Sequence, residues 1–208
     1  MTISSLISKM EKALFSPPYI SLIKDIYSQL IESGEYRQIE ADYQAARLLL
    51  PPHLTQEQRN HLVKYEALAT ENAEYCMEYG FIAGIQFAFQ LSSGSERNVD
   101  DYISIAVEQA LFRNPSTQVH QLFHSRKTQC LQIDDKLAAE LSPNNYEHVV
   151  SIACAWDERI HFSCLYSVYL GYRTALNMLD RLGTLSQSSQ LTTTLAFEQY
   201  LGLLKITT

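Results

Sequence analysis

Asp157-Glu158-Arg159-Ile160-His161 sets a carboxylate and an imidazole three residues apart. On a helix that spacing turns both side chains to one side, and it is the ExxH element from which di-iron carboxylate bundles draw ligands. Such a centre also uses a second ExxH and single glutamates from two other helices. The corresponding place in the first half of the chain reads Glu71-Asn72-Ala73-Glu74, two carboxylates without a histidine. Glu158 and His161 are thus the metal candidates, and exposed acidic positions on a long helix are the competing reading. His120 and His124 stand four apart with no acid nearby, a weak metal pattern. His61 and His148 each follow one turn after a helix start, a repeated structural placement. Nucleophilic chemistry finds no glycine-framed serine, no cysteine-histidine motif and no phosphate-cradling glycine loop. No catalytic residue is assigned. No cofactor is called for, and a metal ion would enter only through Glu158 and His161.

Tyrosine is the other conspicuous chemistry, with thirteen in the chain. Tyr75 and Tyr79, and Tyr166, Tyr169 and Tyr172, lie at helical spacing. Core positions whose hydroxyls reach the surface are one reading. The functional alternative is a partner-binding face, since tyrosine is enriched in interface hot spots.

The elements that must position these residues are helical. Apolar residues recur at helical spacing almost throughout, and no strict alternation between turn residues competes with them. Ser16-Pro17 starts a helix that runs to Gly34, and a second, Tyr36 to Leu50, ends at Pro51-Pro52. Thr55 and Gln58 form a capping box for a helix reaching about Leu91. SSGSERN, residues 92–98, is a loop. Helices near 99–113, 116–140 and 142–182 follow, separated by Asn114-Pro115 and Ser142-Pro143, and a last one comes after GTLSQSSQ.

A shift of 87 pairs Leu54 with Leu141, His61 with His148, Glu71 with Glu158, Tyr79 with Tyr166 and Gly84 with Gly171, the signature of an internal duplication. The same shift aligns Cys76, Gly80, Gly84 and Ala88 with Ser163, Ser167, Gly171 and Ala175. Each interior glycine costs a helix about 1 kcal/mol against alanine. Small residues four apart form one ridge along a helix, over which a second helix crosses close to the backbone. The matching stripes therefore predict that the two long helices cross there. A helix of about 38 residues is roughly 57 Å long, so either the fold is rod-like or the helices kink, with Gly80, Gly84 and residues 148–156 as the natural places.

Composition bounds the rest. A net charge of -7 arises from 23 acids and 16 bases with no long run, which fits solubility and disfavours nucleic acid. The basic cluster His124-Ser125-Arg126-Lys127 lacks the interleaved aromatics of a stacking platform. Cys76, Cys130, Cys154 and Cys164 form no CxxC pair and read as free thiols in a reducing compartment. The first fifteen residues read as an amphipathic docking helix. No apolar run approaches the roughly 20 residues that span a bilayer, so no membrane is expected and the cytoplasm is the expected location. The expected partner is another protein or a second copy of the chain.

Leu22 to Tyr27, Leu54-Thr55-Gln56-Glu57-Gln58, and Glu71 through Tyr79-Gly80-Phe81, Ala83-Gly84 and the apolar run to Leu91 carry a resemblance. Over residues 17–92 the chain resembles a short all-helical family of Gram-positive bacteria and their phages and other mobile elements, the domain of unknown function 6809 type. The second unit matches it faintly and lacks the Gly-Phe pair at Ser167-Val168. The resemblance implies a small helical module, here doubled, and brings no activity with it.

The expected fold is an all-α bundle of about eight helices: a docking helix at 1–15, three-helix units at 16–93 and 98–184, and a C-terminal helix at 190–208. The two units pack through the long crossing helices with pseudo-two-fold symmetry into one compact domain. The expected role is that of a non-enzymatic interaction protein, a bacterial or mobile-element regulatory or accessory factor, with the metal-binding bundle as the alternative.

Overall fold

The structure, a computed structural model, describes residues 24, 28–50, 54–92 and 118–181. The expected docking helix at 1–15, the Ser16-Pro17 start, Pro51-Pro52, most of the 92–98 loop, the helix near 99–113, Asn114-Pro115 and the helix at 190–208 lie outside the described residues. Among those residues there are five helices and no strand, which makes the protein all-α.

Residues 28–32 end the first helix, α1. Helix α2 spans Gly34–Leu48, α3 Gln56–Ser92, α4 Gln118–Glu140 and α5 Pro143–Arg181. Gly34, expected to stop α1, instead opens α2; the bend falls at Ser33, whose amide donates to the Leu30 carbonyl at 3.1 Å. The last turn of α2 tightens through Leu49 and Leu50 amides that reach back three residues to Ala46 and Arg47, at 3.2 Å each. At the start of α3 the capping box is closed in both directions. The Gln58 amide donates to Thr55 Oγ1 at 3.2 Å, and the Thr55 amide to Gln58 Oε1 at 3.0 Å. Pro143 takes the first position of α5, where its missing N–H costs nothing, and the Tyr146 amide reaches the Ser142 carbonyl at 2.9 Å.

With 37 and 39 residues, α3 and α5 are each one unbroken helix, about 56 and 58 Å long at 1.5 Å per residue. The ladder continues through Gly80 and Gly84 and through 148–156, the places named for a kink. Among the described residues no helix is long and apolar enough to cross a membrane.

Packing groups the described residues into two compact units. One compact unit gathers the described residues within Gly34–Tyr75 and Arg113–Phe162; the other gathers those within Met1–Ser33, Cys76–Phe112 and Ser163–Thr208. The physical reason is helix length. Residues at opposite ends of a helix this long have no common neighbours, so each end builds its core with the part of the other half that it meets.

The first of these units has two apolar clusters. Tyr43, Ala46, Leu62 and Ala69 pack with Ile152, Ala155 and Trp156 in one; Ile133, Leu137 and Val149 pack with Leu50, Tyr65 and Leu68 in the other. In the second unit, Ser163 through Tyr169 are buried without interruption, so α5 is enclosed on every side there. Each large side chain so buried contributes about 1.5–3 kcal/mol.

Candidate functional site

Within the unit built from the far ends of α3 and α5, the two small-residue rows face each other. A Cβ built on Gly80 would stand 2.6 Å from the Cys164 carbonyl oxygen and 3.3 Å from Ser167 Cβ. At Gly84 it would run into the Val168 carbonyl and lie 2.7 Å from the Tyr172 amide nitrogen. At Gly171 it would run into the Phe81 carbonyl and lie 3.0 Å from Phe81 Cα. Apart from Ser167 Cβ these obstacles are backbone atoms, which cannot swing aside. The glycine Cα–H bonds instead point at the facing carbonyls, the geometry of weak Cα–H···O contacts that add about 0.5–1 kcal/mol each. Cys76, Ala88, Ser163, Ser167 and Ala175 of the same rows are all buried.

The tyrosines expected to meet a partner are mostly interior. Tyr75, Tyr166, Tyr169 and Tyr172 are buried and Tyr79 is half-buried. Tyr75 stacks on Phe123 at 5.0 Å, Tyr172 meets Phe87 at 5.3 Å, and the Tyr169 hydroxyl accepts from Arg173 Nη1 at 3.2 Å. Their helical spacing puts them on sides of α3 and α5 that the core covers, which favours the core reading of these tyrosines.

Glu158 and His161 share an exposed side of α5. Among the described residues no group of three or more His, Cys, Asp or Glu side chains could hold a metal ion. Glu71 and Glu74 are exposed too, and Glu71 pairs with Arg126 at 2.7 Å. The His120 side chain lies outside the described residues, and His124 packs its ring edge-on to Phe123 at 5.6 Å. His61 and His148 are both half-buried.

Of the two residues between the metal candidates, Arg159 is the charged one that turns inward. It completes the stripe Ile152, Ala155, Trp156, Arg159, spaced three, four and seven apart, so it follows the core side of α5, while Glu158 and His161 are exposed. Its side chain is only 13% exposed and pairs through Nη2 with Glu40 Oε2 at 3.1 Å. The same nitrogen donates to the Tyr36 hydroxyl at 3.2 Å. Its guanidinium carbon lies 4.2 Å from the centre of the Trp156 ring, 4.9 Å from Tyr43 and 5.8 Å from Tyr36. A second link runs alongside: the Tyr43 hydroxyl donates to Glu66 Oε1 at 2.6 Å, and Glu66 pairs with Arg47 at 3.3 Å. Together α2, α3 and α5 are tied by an alternating set of two arginines, two carboxylates and three aromatic rings.

Tyr43 gives this network a pH signature. Its hydroxyl is pushed up from 10.0 to about 12, first by burial and then by the hydrogen bond to the Glu66 carboxylate. The unfolded tyrosine ionises near 10, so between pH 10 and 12 the folded chain keeps a proton the unfolded chain has released. The stability tied to this group is complete below about pH 10 and lost as pH rises through about 12. Tyr43→Phe should flatten the fall in urea-derived stability over that window; an unchanged slope would contradict the assignment.

Between α3, α4 and α5 the polar groups are quieter. Burial raises Asp157, with Lys127 opposing it, and pushes the Cys130 thiol up to about 11, helped by the Asp157 carboxylate. Cys164 is fully buried and pushed up to about 12. All four cysteines are free, with Cys76 and Cys164 buried, Cys130 half-buried and Cys154 exposed. A thiol-disulfide reagent such as DTNB should therefore label Cys154 first and Cys130 slowly, and reach Cys76 and Cys164 only after unfolding. Rapid native labelling of Cys164 would refute this packing.

Comparison with protein-family models, curated proteins and solved structures finds no match to the chain.

Proposed function

We propose that the chain is a non-enzymatic interaction protein that binds another protein, or a second copy of itself, through helical surfaces of the unit formed by Gly34–Tyr75 and Arg113–Phe162. The observation that carries this reading is the exposed apolar residues there. Leu48 is 86% exposed, and Leu49, Val63, Leu122, Leu131 and Val150 are exposed as well; in the described part of the other unit only Ile31 is. Scattered singly, such residues mean little, but Leu48 and Leu49 are adjacent, and Val63 and Val150 are counterparts under the shift of 87. Arg159, Glu40, Tyr43 and Glu66 meanwhile link helices to one another. Four free thiols fit a reducing cytoplasm, and the resemblance over residues 17–92 fits a bacterial or mobile-element accessory factor.

The reading includes a duplicated architecture of about eight helices with pseudo-two-fold symmetry. Its support is a set of contacts that exchange partners under the shift of 87. Gly84 against Val168 becomes Gly171 against Phe81, and Tyr36 with Phe162 becomes Phe123 with Tyr75. Likewise Ala46 and Leu62 share a cluster with Ile152 and Ala155, as Ile133 and Val149 share one with Tyr65 and Leu68. A symmetric scaffold of this kind offers two related helical faces.

The test is affinity capture from the cell of origin with paired baits, the wild type and a Leu48→Asp/Val63→Asp variant of unchanged circular dichroism, alongside light scattering of each. A protein retained by the wild type and lost by the variant supports the reading, as does a dimer that the variant dissolves. Identical captures and identical monomers would overturn it.

A further inference from the structure

The surroundings of Arg159 have the form of a cage built for one kind of cation. Three rings stand around the guanidinium at 4.2, 4.9 and 5.8 Å, and the nearest belongs to Trp156, the side chain that attracts a cation most strongly. At its edge, one nitrogen reaches both Glu40 Oε2 and the Tyr36 hydroxyl. The walls come from two helices, Tyr36, Glu40 and Tyr43 from α2 and Trp156 from α5.

The counterpart place in the other half shows that the fold does not need such a cage. Under the shift of 87, Tyr36 becomes Phe123, Glu40 becomes Lys127, Tyr43 becomes Cys130, Trp156 becomes Ala69 and Arg159 becomes Asn72. There the rings are reduced to one and the counter-ion is reversed in charge. Asn72 is nonetheless buried, at 4% exposure. The position wants a buried polar residue in both halves, and in only one is it furnished to hold a cation.

We infer that Tyr36, Tyr43, Trp156 and Glu40 form a guanidinium-binding cage, and that Arg159 is its internal occupant, latching α2 to α5. A planar guanidinium can be read by face on Trp156 and by edge on Glu40 and Tyr36 at once. A primary ammonium is a compact, more strongly hydrated point charge that loses more hydration on entering and cannot lie flat on a ring, so the cage favours guanidinium. This inference stands independently of the docking reading.

The experiment empties the cage and refills it. In Arg159→Ala, ethylguanidinium, ethylammonium and neutral ethylurea are titrated in turn while the emission of Trp156, the one tryptophan of the chain, and the thermal midpoint are followed. Ethylguanidinium should raise the midpoint saturably and return the emission toward that of the wild type. Its half-saturation should lie at least about threefold below that of ethylammonium, and ethylurea should do neither. Equal responses to all three, or no saturable response in a variant that remains helical, would overturn the cage. Should Arg159→Ala fail to fold, Arg159→Lys decides: a lowered midpoint and altered Trp156 emission support guanidinium selection, and wild-type behaviour refutes it.

Discussion

Alanine at Gly84 or at Gly171 should destabilise the protein by roughly 2 kcal/mol or more, although alanine is the better helix former by about 1 kcal/mol. The added methyl at Gly84 meets the Val168 carbonyl and the Tyr172 amide, and at Gly171 the Phe81 backbone. No rotamer change relieves either clash, so the helices must part and give up buried area along the crossing. For a chain of this size the thermal midpoint should fall by roughly 4–8 °C, and by more for leucine. Gly34→Ala is the control, because nothing lies within 4 Å of its added carbon. It should stay within about 0.5 kcal/mol of the wild type. Midpoints for Gly84→Ala and Gly171→Ala at or above that of the wild type would mean that the helices do not meet as described.

Replacing Arg159 with alanine should cost about 2–3 kcal/mol in urea unfolding. Removing one member of a buried ion pair costs about 3–5 kcal/mol, and the figure is reduced here because Glu40 keeps access to water. What is lost is the Glu40 pair, the hydrogen bond to Tyr36 and the stack on Trp156 together. A double-mutant cycle with Glu40→Gln should return a coupling near 1 kcal/mol, the part carried by the pair itself. A cost for Arg159→Ala within about 0.5 kcal/mol would place the side chain in solvent.

The fold class was legible because apolar spacing and end signals agree along the chain: Thr55 and Gln58 cap α3 as their types and spacing require. The division into units was not. Sequence order groups neighbours along the chain, whereas each end of α3 packs with part of the other half. The polar site around Arg159 was not legible either. In Asp157-Glu158-Arg159-Ile160-His161, Glu158 and His161 have the types that ligate metals, yet they lie on the exposed side of α5. Arg159 received no reading of its own. The signal that could have found it was the apolar stripe Ile152, Ala155, Trp156, into which position 159 falls by helical geometry. No such stripe distinguishes Tyr79 from its buried counterpart Tyr166, since that difference comes from tertiary packing.

The meeting of the two long helices backbone to backbone is tested most directly without mutation, by nuclear Overhauser contacts in a protein labelled with deuterium and selectively protonated at glycine and phenylalanine Hα. We expect a strong cross-peak from a Gly84 Hα to the Tyr172 amide proton and another from a Gly171 Hα to the Phe81 Hα, because those hydrogens occupy the directions in which a Cβ would collide. Cross-peaks from Gly84 and Gly171 confined to their own helices would contradict the crossing.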